Sequence, residues 1–81
     1  MTDNESDEGR AEFLRLVQQV DPHVQVVIPT APSNSLYLIS LTKGQSRKFV
    51  SIPEDDLLDL SEQADVRRKV ATVVREAIAA L

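Results

Sequence analysis

Apolar side chains occupy both odd and even positions of one short run, Leu36 to Leu41 (LYLISL). Successive residues of a β-strand point to opposite faces of the sheet, so this run predicts a strand that is covered on both faces. Weaker apolar runs flank it at Val24 to Ile28 and at Arg47 to Ile52. The pattern predicts a three-stranded antiparallel meander with Leu36 to Leu41 in the middle and helices packed over it.

The turn between the second and third runs sets their register. Residues 42–47 (TKGQSR) read as a hairpin connection, with Gly44 available for a positive φ. A four-residue loop from Lys43 to Ser46 would give the meander one strongly apolar face. This register pairs Ile39 with Val50 and Tyr37 with Ile52.

A helix is predicted before the meander, from about Gly9. Its apolar residues recur at intervals of three and four, which places them on one stripe. Ser6 or Asp7 is the predicted cap. The helix is predicted to end at Val20 or Asp21, because a proline disfavours the helical conformation in the residue before it. The stripe consists of Phe13, Leu14, Val17 and Val20.

Two helices are predicted after the meander. Pro53 followed by three acids is typical of a helix start, and a short helix from Pro53 to about Leu60 follows. One uninterrupted helix from there to the end would be about 40 Å long, too long for a small domain to cover, so a break is predicted near residues 59–62. The predicted fold class is a two-layer α+β domain in the order α-β-β-β-α-α.

The length of the chain and the distribution of its charges predict its domain organisation. Four of the thirteen acids lie in the first eight residues, which leaves nine acids to match the nine lysines and arginines. Residues 1–8 are therefore predicted to be a disordered acidic tail, and residues 9–81 a single domain. The chain has no cysteine and shows no signal-peptide or membrane-span pattern, so the expected location is the cytoplasm, with no membrane partner.

Acidic residues cluster around the predicted short helix. Carboxylates suit calcium and magnesium, but the spacing lacks the glycine and the alternating ligands of an EF-hand loop. The only histidine, His23, lies in a predicted turn, and no nucleophile elbow, phosphate loop or zinc motif is present. No enzyme, metal or cofactor is expected, and a divalent-metal-dependent enzyme is the third hypothesis. The acids are Glu54, Asp55, Asp56, Asp59, Glu62 and Asp65.

Basic residues fall in two groups, at the hairpin and early in the last helix, and both could meet one phosphate backbone. The element order, with Arg68–Ala71 and Ala77–Leu81, resembles a double-stranded RNA-binding domain, which implies RNA binding. The glycine expected before the basic pair is absent, and Glu62 and Asp65 precede it instead. Nucleic-acid binding is therefore the second hypothesis. It would use Lys43, Arg47, Lys48, Arg67, Arg68 and Lys69.

The last helix carries an apolar arc of about 160°, which is wide for one sheet face. Either the core uses the whole arc, or part of it faces a partner. The outer strands offer a second route, by strand addition. The first hypothesis is thus a non-catalytic protein–protein interaction module whose partner is another protein or a second copy, as in a homodimer. Its candidate residues are Val66, Val70, Val73, Val74 and Ile78.

Overall fold

The computed structural model describes residues 4–81. The elements follow the order α-β-β-β-α-α, which confirms the predicted α+β class. The break between the last two helices falls at residues 60–63, close to its predicted place. The elements are α1 (Asn4–Val20), β1 (Gln25–Val27), β2 (Leu36–Lys43), β3 (Ser46–Pro53), α2 (Glu54–Asp59) and α3 (Ala64–Ala79).

The three strands form one antiparallel sheet with β2 in the centre. The predicted hairpin register is confirmed, because Ile39 pairs with Val50 and Tyr37 with Ile52. The turn itself is tighter than predicted, since residues 43 and 46 still pair and only two residues connect the strands. Gly44 has φ +61° at the first turn position, which is the pattern of a type II′ hairpin.

All three helices pack on the same face of the sheet. Helix α1 contacts both α2 and α3, and these two helices also contact β3. The sheet contributes the odd-numbered residues of β2 and the even-numbered residues of β3 to this layer, as expected for side chains that alternate along a strand. The buried core consists of Phe13, Leu16, Val17, Val24, Tyr37, Ile39, Leu41, Val50, Ile52, Leu57, Leu60, Val70 and Val74.

The prediction that β2 is covered on both faces is wrong. Leu36 and Leu38 alternate with the buried residues of β2, and both are exposed. The physical reason is that the three helices together complete one core on one side, so no helix remains for the other. The uncovered side is called the open face below. It carries Gln25, Val27, Leu36, Leu38, Ser40, Thr42, Arg47, Phe49, Ser51 and Pro53.

Helix α1 begins at Asn4, earlier than the predicted start near Gly9. Residues 4–8 of the predicted tail thus belong to the helix, and Ser6 and Asp7 lie within it instead of capping it. Acidic residues favour such an extension because they interact well with the partial positive charge at a helix N-terminus. Residues 1–3 of the predicted tail lie outside the described residues.

Gly9 allows α1 and α2 to approach closely. It is buried, and a Cβ atom at this position would lie 2.0 Å from the Leu57 carbonyl oxygen and 3.0 Å from its carbonyl carbon. Both are backbone atoms of α2, so no side-chain rotation can relieve the overlap. Any larger residue at position 9 would push the two helices apart.

The long connection between β1 and β2 is tied down at two places. The Arg10 guanidinium donates hydrogen bonds to the carbonyl oxygens of Pro29 (2.8 Å) and Thr30 (3.0 Å), and it lies 5.4 Å from the centre of the Tyr37 ring. At its far end the Ser35 carbonyl accepts a hydrogen bond from the Glu54 amide, 2.8 Å away. These contacts join the connection to α1 and to the start of α2.

The connection ends in a turn with unusual backbone angles. Two hydrogen bonds link the backbones of Ser33 and Leu36, at 2.8 and 3.0 Å, and the residues between them are Asn34 (φ 53°) and Ser35 (φ 65°). Positive φ at both central positions is the pattern of a type I′ turn, for which Asn-Gly is the preferred pair. Asparagine tolerates this region, whereas serine is strained there.

Replacing Ser35 with glycine is expected to raise the stability by about 0.5 kcal/mol, or a few degrees in Tm. Glycine removes the cost of the left-handed conformation, which exceeds the entropy that it adds to the unfolded chain. Thermal unfolding of Ser35→Gly measures the effect. The control Ser35→Ala keeps the strained conformation and should show no gain. A lower Tm for Ser35→Gly would contradict the turn geometry.

Candidate protein-binding surface

The open face collects most of the large apolar side chains that the core leaves exposed. Seven are exposed among the described residues, and four of them lie here: Val27 (64 %), Leu38 (54 %), Phe49 (54 %) and Leu36 (40 %). These four are called the apolar patch. Single exposed apolar residues are ordinary, whereas a group on one face indicates a surface that binds something.

The strand register brings the patch together. Val27 pairs with Ser40, and Ser40 pairs with Phe49, so these residues form one row across all three strands. Leu38 lies two residues before Ser40 on the same face of β2 and pairs with Ser51. Ser40 and Ser51 are much smaller than the apolar side chains beside them. The surface is therefore uneven, with raised apolar groups beside low positions.

Charge is almost absent from the open face. Arg47 is the one ionisable residue among those that define it, and it stands at the hairpin end. Acidic side chains belong to the helices and their connections instead. A partner would therefore displace little bound water from charged groups when it covered the patch, which lowers the cost of desolvation.

The predicted surface on α3 needs correction. Val70 (2 % exposed) and Val74 (0 %) lie in the core, so neither side chain can contact a partner in this fold. Val66 and Ile78 are half-buried against the same core, and Val73 is exposed at its edge. Much of the wide apolar arc is thus used internally, against α1 and β3. A binding role for Val66, Val73 and Ile78 stays a prediction.

Arg67 joins three parts of the helical layer. Its Nη2 donates a hydrogen bond to the Ser61 carbonyl oxygen at 3.0 Å, and its Nε lies 3.4 Å from Glu12 Oε2. The other oxygen of Glu12 accepts a hydrogen bond from Arg15 at 2.6 Å. Arg67 therefore links α3 to α1 and to the connection after α2. Its guanidinium is engaged within the protein, which weakens its case as a phosphate contact.

Three further residues of the proposed nucleic-acid set also lie beside carboxylates. Such exposed pairs contribute little stability, but each places a negative charge where a phosphate would have to approach. Lys69 belongs to this group, and its partner is one of the acids of the proposed metal cluster. The pairs are Lys43 Nζ with Asp21 Oδ2 (2.6 Å), Arg68 Nη1 with Asp65 Oδ1 (3.9 Å) and Lys69 Nζ with Asp56 Oδ2 (2.8 Å).

Asp21 anchors the connection between α1 and β1. The hydrogen bond from Lys43 and then the one from the His23 amide (2.9 Å) hold the pKa of Asp21 below its ordinary value, because both stabilise the charged carboxylate. The His23 imidazole is exposed, with Nδ1 4.0 Å from Asp21 Oδ1. Histidine and aspartate thus meet at a solvated turn.

The last two basic residues point in opposite directions. Arg47 lies on the open face, whereas Lys48 alternates with it and points to the helical side of β3. Within residues 4–81, neither of them has an ion pair. The six basic residues therefore do not all lie on one side of the sheet, and nucleic-acid binding through them stays a prediction.

The acidic residues do not converge either. Within the part of the chain that the structure describes, no three histidine or acidic side chains come close enough together to hold a metal ion. The metal hypothesis therefore has no ligand set to support it there. In the same range, no helix is long and apolar enough to cross a bilayer.

The apolar patch was missed by the sequence reasoning, although a signal for it was present. Under the predicted register, Leu38 and Phe49 fall on the face opposite to Ile39 and Val50. That signal was overlooked because β2 was expected to be covered on both sides.

Comparison of the chain with protein-family models, curated proteins and solved structures finds no match.

Proposed function

We propose that this chain is a non-catalytic protein–protein interaction module that binds its partner through the open face. The observation that carries this proposal is the apolar patch, where Val27, Leu38 and Phe49 each expose more than half of their accessible surface. The binding surface is thus proposed on the sheet, at a place different from the α3 residues that the sequence favoured.

The patch has the composition of an interface centre. Aromatic residues often anchor interfaces, and Phe49 is the one aromatic side chain on the open face. Val27 lies in the same row as Phe49, across Ser40, and Leu38 lies in the next row on the open face. Burying such side chains contributes about 25 cal/mol for each Å² of apolar surface removed from water. Arg47 at the margin supplies a polar rim.

Nucleic-acid binding has less support. Four of its six basic residues lie beside carboxylates, and Arg47 alone contributes a positive charge to the open face. Affinity for a polyanion grows with the number of phosphates that lysine and arginine neutralise. A face with one arginine would neutralise few of them, so a protein partner fits this surface better.

Site-specific photocrosslinking of the full chain in its host cells tests the proposal. A photoreactive phenylalanine analogue is placed at position 49 on the open face, and a matched control is placed at Arg75, an exposed position of α3. We expect a protein adduct from position 49 that is absent from position 75. The mass of the adduct then identifies the partner.

Two outcomes would reject the proposal. One is the absence of any protein adduct from position 49 under conditions in which the analogue is incorporated and the chain is folded. The other is an adduct that disappears on nuclease treatment, which would make nucleic acid the ligand of this face.

A further inference from the structure

We propose that the open face binds a second copy of this chain, with the two sheets packed face to face across a two-fold axis. This inference rests on the proposed function, since it names the partner of the same surface. Antiparallel sheets commonly pack in this way, with their strands nearly aligned and about 10 Å between the layers.

The sizes of the side chains change along the two long strands of the open face, β2 and β3. On β2, Leu36 and Leu38 are large and are followed by the smaller Ser40 and Thr42. On β3 the order along the sheet is reversed, because the large residues Arg47 and Phe49 stand at the hairpin end and Ser51 at the other end. β2 and β3 therefore each have a raised half and a low half, and the raised halves lie on a diagonal.

A two-fold axis makes this pattern complementary to itself. The axis runs midway between the two sheets, parallel to both of them and perpendicular to their strands. It passes at the level of the paired residues Ile39 and Val50. Rotation about it places the raised half of each strand over the low half of the same strand in the second copy. Such an isologous contact buries the same residues on both chains. It sets Leu38 over Ser40 and Phe49 over Ser51 of the second copy.

The same axis separates the charges. It places Arg47 over Pro53 of the second copy, so the two arginines lie about 20 Å apart along the strands at 3.3 Å per residue. This distance exceeds the screening length of about 8 to 10 Å in physiological salt. No carboxylate belongs to the open face among the described residues, so the contact buries no acid. Like-charge repulsion therefore does not oppose the pairing.

The area of the face indicates the strength of the dimer. Two strands of eight residues and one of three, about 4.8 Å apart and rising about 3.3 Å per residue, cover roughly 300 Å² on each copy. This is well under half of the roughly 800 Å² that each partner contributes to an interface of standard size, as in weak and transient complexes. We therefore expect a reversible dimer with a Kd on the order of 100 μM, weak enough to separate on dilution.

Sedimentation equilibrium of the full chain from about 10 μM to 1 mM tests this inference, since that range brackets the expected Kd. The average mass of the wild type should rise from the monomer towards the dimer. Leu38→Glu should weaken the association at least tenfold, because two carboxylates would be buried near the axis. The control Val73→Glu makes the same apolar-to-acidic change at an exposed residue of α3 and should leave the dimer intact.

Amide chemical shifts on dilution locate the contact and show that each variant is folded. Changes are expected on the open face around Leu38 and Phe49, with few at Val73. A monomer throughout the concentration range would overturn the inference, and so would a dimer that survives Leu38→Glu but is lost in Val73→Glu. If a monomeric chain still crosslinks to another protein from position 49, self-association is wrong and the proposed function stands.

Discussion

Replacement of Gly9 by alanine is expected to destabilise the protein by about 3 kcal/mol. The new Cβ would lie 2.0 Å from the Leu57 carbonyl oxygen, so α1 and α2 must separate and the core between them must loosen. The sign of this effect is informative. In a helix without such a contact, the same substitution would raise stability by up to about 1 kcal/mol, because alanine is the better helix former.

Urea denaturation followed by circular dichroism measures the change in the free energy of unfolding. Glu8→Ala is the matched control, since it alters an exposed neighbour in the same helix and should stay within about 0.5 kcal/mol of the wild type. A Gly9→Ala protein that is more stable than the wild type would show that α1 and α2 are not in direct contact here.

Replacement of Phe13 by alanine is expected to cost about 4 kcal/mol. The Phe13 side chain is fully buried in the core, where its loss leaves a cavity as well as a smaller apolar surface. A domain of this size has a total stability of roughly 4 to 12 kcal/mol. The variant should therefore lose at least about a third of its stability, and its Tm in thermal unfolding followed by circular dichroism should fall by roughly 15 to 30 °C.

The chain offers a matched control because it has two phenylalanines, and the second one lies outside the core. Phe49→Ala makes the same chemical change on the open face, and at low micromolar concentration it should cost less than about 1 kcal/mol. It should also weaken binding through the open face. Similar losses of stability from both substitutions would contradict the assignment of one ring to the interior and the other to the surface.

Local patterns were enough to predict the order of the elements and the register of the hairpin. Ile39 and Val50 pair as predicted because a short connection between two apolar runs leaves few registers that align their buried sides. The end of α1 at Val20 also follows from one neighbouring residue, Pro22. In each case the residues that decide the structure are close in the sequence.

The polar part of the helical layer could not be predicted in the same way. Arg67 was predicted only as a candidate phosphate contact, whereas its partners Glu12 and Ser61 belong to other parts of the helical layer. The residues around Gly9 do not indicate its contact with α2. The contact is with Leu57, 48 residues further along the chain, and it depends on how closely the two helices pack. Such contacts exist only after the elements have packed.

The amino-acid sequence by itself determined the order of the helices and strands and the register of the hairpin, since periodicity, turn residues and prolines act over a few neighbouring positions. It also determined that β2 carries large apolar side chains on both faces. Only the tertiary structure decided which of those faces is buried, because Leu38 and Ile39 have almost the same hydrophobicity and differ only in the side on which the three helices pack. The open face, and with it the proposed binding surface, is the consequence of that choice.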